Sequence, residues 1–245
     1  MSTISSCVVQ GDIPHGKEES QQAECVILLH GLGRTRVSML NLEAYLVESG
    51  YHTVNFGYPS RSEQIEKIAS TRVPDAVSQC KLISSGKIHF VTHSLGGIIV
   101  RQYLQTNTLP KGSRIVMLSP PNQGSELSDR HKGDSWYQWY TGPAGQQLTT
   151  AKDSLPNRLK PINVEIGVIA GTKSIASWLS SQLPGEDDGV VSVKSTQLDE
   201  MKDFLLVPRT HTFIMESDEV QRQVVNFLRN GKFDHESKGQ ADESR

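Results

Sequence analysis

Two adjoining apolar segments with a single serine between them constrain this chain more than any other feature. Residues 88–92 are rich in β-branched and aromatic side chains, and residues 95–103 contain Leu, Ile and Val with a charge only at Arg101. The first segment predicts a buried strand and the second a helix, with Ser94 on the turn between them. A strand that reverses so abruptly into a helix brings the flanking backbone together, which requires small residues.

The turn has the pattern Thr92-His93-Ser94-Leu95-Gly96, followed by a second glycine at position 97. It matches the nucleophile elbow, G-x-S-x-G, except that Thr92 replaces the first glycine. Taken alone, the segment also fits a serine that simply caps the helix. The choice between these two interpretations depends on the rest of the chain.

Composition excludes several classes of protein. The 245 residues suffice for one substantial core, and a formal net charge of -2 gives no reason to expect a nucleic-acid partner. The three cysteines, at positions 7, 25 and 80, lack the spacing of a zinc site or a disulfide framework, which predicts free thiols in a reducing compartment. No secretory leader and no apolar run of about 18 residues is present, so we expect a cytoplasmic protein without a transmembrane segment. Nothing in the sequence specifies the oligomeric state.

Short strand-like segments alternate with helical patterns along the chain. Strands are predicted at residues 3–10, 25–29, 52–56, 88–92, 114–118, 164–170, 190–193 and 204–207. Helices are predicted at residues 38–49, 62–84 with a break at Pro74, 95–103, 174–183 and 217–228. This alternation predicts an α/β fold in which helices cover both faces of a mostly parallel sheet.

We expect one domain over residues 1–230, interrupted by an insertion at about residues 125–161 where the periodicity fails. The insertion holds four aromatic residues, which either line a pocket or pack the insertion onto the sheet: Trp136, Tyr137, Trp139 and Tyr140. Residues 231–245 are polar and charged, which predicts a disordered tail.

The functional groups of parallel sheets gather beyond the carboxyl ends of the strands. A reactive serine needs a base there, and three histidines follow Ser94 in the chain. His131 lies in the insertion and His235 in the tail, whereas His211 follows the last predicted strand directly. We therefore predict that His211 is the base.

The base needs a carboxylate that fixes its tautomer. Asp187 and Asp188 precede His211, which gives the order serine, acid, histidine found in α/β hydrolases. Asp188 is preferred because it directly precedes Gly189 and an apolar pair, and Asp187 remains the alternative. A solvated acidic turn is the non-functional interpretation of both.

A developing oxyanion needs preorganised hydrogen-bond donors. The amide of Leu95 follows the serine at a helix N-terminus, and the amide of Leu32 lies in the glycine-containing loop after the first core strand. These two amides are the predicted oxyanion hole. His30 is expected to brace its loop, and His93 to pack beside the elbow.

Together these segments resemble the α/β-hydrolase superfamily and, within it, the lipase-like serine esterases. The resemblance covers about residues 24–228 and rests on the segments His30-Gly31-Leu32-Gly33, Thr92 to Gly97, Pro120 to Ser125, Asp188 to Ser192, and His211. It implies a triad of Ser94, Asp188 and His211, an oxyanion hole at Leu32 and Leu95, no cofactor, and a cap formed by the insertion. The departure is Thr92, where Gly or Ala is usual, and its branched side chain is expected to crowd the elbow.

The predicted function is hydrolysis of a carboxylic ester through an acyl-serine intermediate, with a small-molecule ester or lipid-like substrate. An acyltransferase, a thioesterase or an amidase would use the same triad. A non-catalytic binding module of the same fold is the contrasting class, usually marked by a missing triad member. A metal hydrolase based on His30, His93 and His211 is disfavoured because no histidine pair has metal-ligand spacing on one helix.

Overall fold

Six parallel strands form one sheet in the computed structural model, which describes residues 23–175 and 177–236. The strands are β1 (Cys25–Leu29), β2 (His52–Phe56), β3 (Ile88–His93), β4 (Arg114–Leu118), β5 (Glu165–Gly171) and β6 (Asp203–Val207). Their order across the sheet is β2-β1-β3-β4-β5-β6. Because all neighbours are parallel, the loops that follow the strands lie at one edge.

Helices connect successive strands and cover the sheet. They are α1 (Leu40–Glu48), α2 (Ile65–Thr71), α3 (Val73–Ile83), α4 (Leu95–Tyr103), α5 (Glu126–His131), α6 (Ser135–Gln146), α7 (Leu155–Arg158), α8 (Ser177–Ser180), α9 (Val193–Thr196) and α10 (Asp218–Asn230). Pro74 lies in the first turn of α3, where its missing N–H costs no helical hydrogen bond, so the predicted break is confirmed. Among the described residues, no helix has both the length and the apolar composition needed to cross a bilayer.

Successive side chains of each strand enter two different apolar layers. In β1, Ile27 and Leu29 belong to the layer that contains α2, α3 and α4, whereas Val26 and Leu28 belong to the layer that contains α1 and α10. All four side chains are buried, as expected of a strand covered on both faces. The predicted α/β architecture is therefore confirmed.

The region between β5 and β6 differs from the prediction. The helix predicted over residues 174–183 is wrong in extent, because among the described residues of that range only Ser177–Ser180 is helical. The strand predicted at residues 190–193 does not form. Ser192 instead caps α9, and its Oγ accepts a hydrogen bond from the Ser195 amide at 3.2 Å. This cap overrides the β propensity of the valines.

The predictions for the two ends of the chain can be compared with the structure only in part. The strand predicted at residues 3–10 lies outside the described residues, as do residues 237–245. The prediction of disorder is wrong for residues 231–236, because Phe233 is buried against Phe227 with ring centroids 5.0 Å apart. The amide of Asp234 also donates to the side chain of Gln223. One aromatic side chain in a polar segment thus fixes it to α10.

A disulfide bond between Cys25 and Cys80 joins β1 to α3. The prediction of free thiols is wrong for this pair, whose members lie 55 residues apart in the sequence. Only the fold brings them together, with a Cα–Cα distance of 5.8 Å. Because disulfides are rare in cytosolic proteins, the bond does not fit the reducing compartment that was inferred from free thiols.

Among the described residues, burial lowers the pKa of three histidines, namely His30, His89 and His93. In the unfolded chain they regain an ordinary pKa near ~6.5. The unfolded state therefore binds more protons below that pH, and folding stability falls as the pH decreases. We expect the free energy of unfolding, measured by urea titration, to fall as the pH is lowered from about 7 to about 5.5.

The variant His89→Gln is the control for this prediction, because it removes one of the three groups that take up a proton on unfolding. Its stability should decrease less steeply with falling pH than that of the wild type. A stability that is independent of pH over this range would contradict the prediction.

Candidate active site

Ser94 occupies the sharp corner between β3 and α4. Its backbone has φ 52° and ψ -119°, a region that non-glycine residues rarely adopt, and its amide donates to the carbonyl of Leu118 at 2.9 Å. A Cβ at position 96 would lie 2.7 Å from the carbonyl oxygen of Leu29, so Gly96 allows α4 to pass close to β1. The elbow predicted from the sequence is thus present, with strain at the serine itself.

Thr92, the departure from the usual elbow, is fully buried in β3. Its Oγ1 lies 3.4 Å from the position that a Cβ on residue 97 would take, whereas Cβ of Pro120 lies at 3.1 Å from it, so Pro120 is the tighter neighbour of Gly97. Among the described residues, the Thr92 hydroxyl has no hydrogen-bond partner. The elbow therefore forms with a branched side chain at position 92.

His211 follows β6 and pairs with Asp188. Its Nδ1 lies 2.7 Å from Oδ2 of Asp188, and its amide donates to the Asp188 carbonyl at 3.0 Å. The other carboxylate oxygen of Asp188 accepts hydrogen bonds from the amides of Val190 and Val191 at 3.0 and 2.9 Å. Because a carboxylate only accepts, the proton of neutral His211 lies on Nδ1, and Nε2 is left as the basic nitrogen.

Asp187, the alternative acid, has different partners. Its Oδ1 accepts hydrogen bonds from the hydroxyl of Ser180 at 2.8 Å and from the amide of Gly189 at 2.7 Å. Gly189 has φ +94°, and this left-handed turn directs the following amides toward Asp188. His211 therefore pairs with Asp188, whereas Asp187 stabilises the turn by accepting the hydrogen bond from the Gly189 amide.

The loop after β1 lies against the elbow. A Cβ on Gly31 would lie 3.2 Å from Cβ of Ser94, so only glycine allows this approach. The Gly33 amide donates to Oγ of Ser60 at 3.1 Å, whereas the Leu32 amide has no hydrogen-bond acceptor within the described part of the chain. Leu95 begins α4, so its amide has no intrahelical acceptor. Two amide donors are thus available close to Ser94.

Comparisons with known proteins agree with this architecture in structure but not in sequence. No family model matches the chain, and no curated protein matches it. Bacillus licheniformis lipase BlEst2, in its mature form, matches with a TM-score of 0.69 and 16% identity over 89% of this chain and 96% of its own. The Pyrococcus furiosus esterase PF2001 matches with a TM-score of 0.63 and 16% identity, over 86% and 83% of the two chains. Paleococcus ferrophilus monoacylglycerol lipase matches with a TM-score of 0.52 and 18% identity, over 83% of this chain and 93% of its own.

The chain has a lipase-like α/β-hydrolase fold. In this α/β-hydrolase fold, Ser94, His211 and the Leu32 loop each follow a different strand, and parallel pairing brings them to the same edge of the sheet. The convergence expected from the sequence is therefore a consequence of the strand order.

His30 braces the first loop of the α/β-hydrolase fold. Its ring stacks on Tyr58 with centroids 4.1 Å apart, and its Nε2 accepts a hydrogen bond from the Tyr58 amide at 3.3 Å. The Tyr58 hydroxyl donates to the carbonyl of His30. Among the described residues, no group of three or more His, Cys, Asp or Glu side chains could hold a metal ion.

Sequence reasoning did not assign a role to Arg101, although it is the one charged residue of α4. Its side chain is buried, and burial lowers its pKa to about 10. Nη1 donates to the carbonyl of Asn122 at 3.0 Å, and Nη2 donates to the carbonyl of Pro156 at 3.3 Å. Arg101 therefore links α4, the helix that follows Ser94, to the insertion. Its position as an isolated charge in an apolar helix could have indicated that the side chain is buried and hydrogen-bonded.

The insertion of this α/β-hydrolase fold consists of α5, α6 and α7. Trp136, Trp139 and Tyr140 are exposed on α6, whereas the Tyr137 hydroxyl bonds to Oγ of Ser128 at 2.8 Å. Arg61 stacks against Trp139 and Tyr140 at 5.1 and 5.2 Å from the ring centroids. The aromatic residues therefore do not act as one group: three are exposed, and Tyr137 packs within the insertion.

Proposed function

We propose that the protein is a serine hydrolase of carboxylic esters, with Ser94 as nucleophile, His211 as general base and Asp188 as the acid that orients it. The observation that carries the proposal is the 2.7 Å contact between His211 Nδ1 and Asp188 Oδ2, which leaves Nε2 as a proton acceptor at the edge where Ser94 stands. A serine hydroxyl becomes a competent nucleophile only beside such a base.

The first half of the reaction forms the acyl-serine. Ser94 Oγ attacks the ester carbonyl carbon while Nε2 of His211 takes the hydroxyl proton. Negative charge on the former carbonyl oxygen is stabilised by the amides of Leu32 and Leu95, at the positive end of α4. When the carbon–oxygen bond to the alcohol breaks, His211 returns the proton to the departing oxygen, and the acyl group remains on Ser94.

The second half consumes water. Nε2 of His211 takes a proton from a water molecule as its oxygen attacks the acyl carbon, and the same two amides stabilise the new oxyanion. The bond to Ser94 Oγ then breaks, and His211 returns the proton to the serine. The products are an alcohol and a carboxylic acid, and no step needs a cofactor.

The insertion is proposed to act as a cap over this site. Two contacts support that role, because a Cβ on Gly145 would lie 3.1 Å from Cδ2 of Leu32, and a Cβ on Gly33 would lie 3.5 Å from Oη of Tyr140. Helix α6 therefore flanks the proposed oxyanion loop. The matched structures carry the names lipase, esterase and monoacylglycerol lipase, which supports a small-molecule ester or lipid-like substrate here.

A fluorophosphonate probe tests the proposal directly, because such probes phosphonylate only a serine activated by its base. We expect the purified protein to be labelled once, and peptide mass spectrometry to place the label on Ser94. Turnover of p-nitrophenyl esters from acetate to palmitate would then define the acyl preference. A folded protein that neither reacts with the probe nor hydrolyses any of these esters would refute the proposal and favour a binding module.

A further inference from the structure

Two neighbouring carbonyls fix the position of the His211 loop. Nε2 of His93 lies 2.9 Å from the carbonyl oxygen of His211, and Nη2 of Arg34 donates to the carbonyl of Thr212 at 3.2 Å. His93 directly precedes Ser94, and Arg34 directly follows the segment Gly31 to Gly33. The loop that carries the base is therefore attached to both the nucleophile and the oxyanion loop.

The chemistry of His93 suits this attachment. A carbonyl only accepts hydrogen bonds, so Nε2 of His93 carries the proton and Nδ1 does not. Nδ1 is buried without a partner among the described residues, and a Cβ on Gly31 would lie only 2.7 Å from it. Burial lowers the pKa of His93 well below its usual value, and the neighbouring His211 lowers it further. His93 is therefore a neutral donor of fixed tautomer.

We propose that His93 is a positioning residue, which holds the His211 imidazole in register with Ser94 through the backbone carbonyl of His211. The inference rests on the proposed function. Asp188 holds His211 from the opposite side, through the ring Nδ1 and the backbone amide. Without the bond from His93, the His211 carbonyl loses this donor, and the loop is held by Asp188 and by the bond from Arg34 to Thr212. A shift of about 1 Å in the base then costs about 100-fold in rate.

The test uses two neutral amides that differ by one methylene group. The side-chain amide of His93→Gln takes the place of Nε2 and still reaches the carbonyl of His211, whereas that of His93→Asn takes the place of Nδ1, beside Gly31. We expect His93→Gln to keep kcat within about 3-fold of the wild type. We expect His93→Asn to lose about 10- to 100-fold in kcat, with KM nearly unchanged.

A spectroscopic measurement separates this inference from the proposed function. The Nδ1 proton of His211, shared with Asp188, should give a low-field proton resonance in the wild type and in His93→Gln. That resonance should broaden or disappear in His93→Asn. Equal resonances and equal kcat values in the two variants would overturn the positioning role even if Ser94 is the nucleophile. If the wild type has no esterase activity, the proposed function fails, and the resonances alone decide whether His93 positions the ring.

The variant Arg34→Met provides an independent arm, because Arg34 is only partly buried and its replacement does not disturb the core. Methionine keeps an unbranched stem but cannot donate to the Thr212 carbonyl. We expect a several-fold loss in kcat for Arg34→Met and a larger loss when it is combined with His93→Asn. Unchanged kcat in both single variants would contradict the inference.

Discussion

Replacement of Ser94 with alanine is expected to lower kcat for p-nitrophenyl esters by about 10⁶-fold. The methyl group cannot form the acyl intermediate, and His211 and the two amides are left to assist only a direct attack by water. The variant should still hydrolyse the ester about 10³ times faster than the uncatalysed reaction, because the proposed oxyanion hole and substrate binding are retained. The rate of p-nitrophenol release is measured for both proteins. The concentration of active sites in the wild type is determined by titration with a fluorophosphonate, so that its kcat can be calculated.

Ser119 offers a matched control for that experiment. It ends the strand next to β3, is fully buried, and has a positive φ of 46°, so it shares the strained backbone of Ser94. Its Oγ accepts a hydrogen bond from the Gly171 amide at 3.2 Å. Ser119→Ala should lose about 1 kcal/mol of stability and keep its esterase activity. Equal activity of Ser94→Ala and Ser119→Ala would exclude Ser94 as the nucleophile.

The substitution Asp188→Asn is expected to lower kcat by about 10⁴-fold with little effect on folding. The amides of Val190 and Val191 hold one carboxylate oxygen, so the asparagine carbonyl takes that place and its NH₂ group faces His211. Nδ1 of His211 must then accept a hydrogen bond, which moves its proton to Nε2. Histidine in that tautomer cannot take the proton of Ser94.

Asp187→Asn is the matched control, because both partners of Asp187 donate to a single oxygen that asparagine retains. We expect it to reduce kcat by less than about 10-fold, through loosening of the turn at Gly189. If Asp188→Asn and Asp187→Asn lose kcat to a similar extent, the loss does not come from the pairing of Asp188 with His211. The pH dependence of kcat for each variant completes the comparison.

The parts of the fold that the sequence predicted well are those set by local pattern. Helix α4 was predicted at residues 95–103 because apolar residues follow a corner that requires glycine, and β1 because its five residues are all apolar. The order of Ser94 and His211 along an alternating chain was also enough to predict that their loops share an edge. Their catalytic roles remain predictions.

The features that the sequence did not predict depend on contacts between distant residues. Asp188 was preferred to Asp187 from its position before Gly189, but its contact with Nδ1 of His211 joins residues 23 positions apart, which no local pattern shows. The bond from His93 to the His211 loop joins residues that lie 118 positions apart. The Ser192 cap is a different case, because its bond to the Ser195 amide is local and the prediction gave more weight to the β propensity of the neighbouring valines.

The disulfide between Cys25 and Cys80 closes a covalent ring of chain. That ring contains the loop around Leu32, the proposed oxyanion loop, together with two residues that support it, Tyr58 and Ser60, which contact the loop through His30 and Gly33. A protease that nicks the ring at one exposed peptide bond would leave both fragments attached to each other. Separation of the loop from its supports would then require a reductant as well as a cut, so a single cleavage within the ring leaves the loop covalently joined to the residues that hold it.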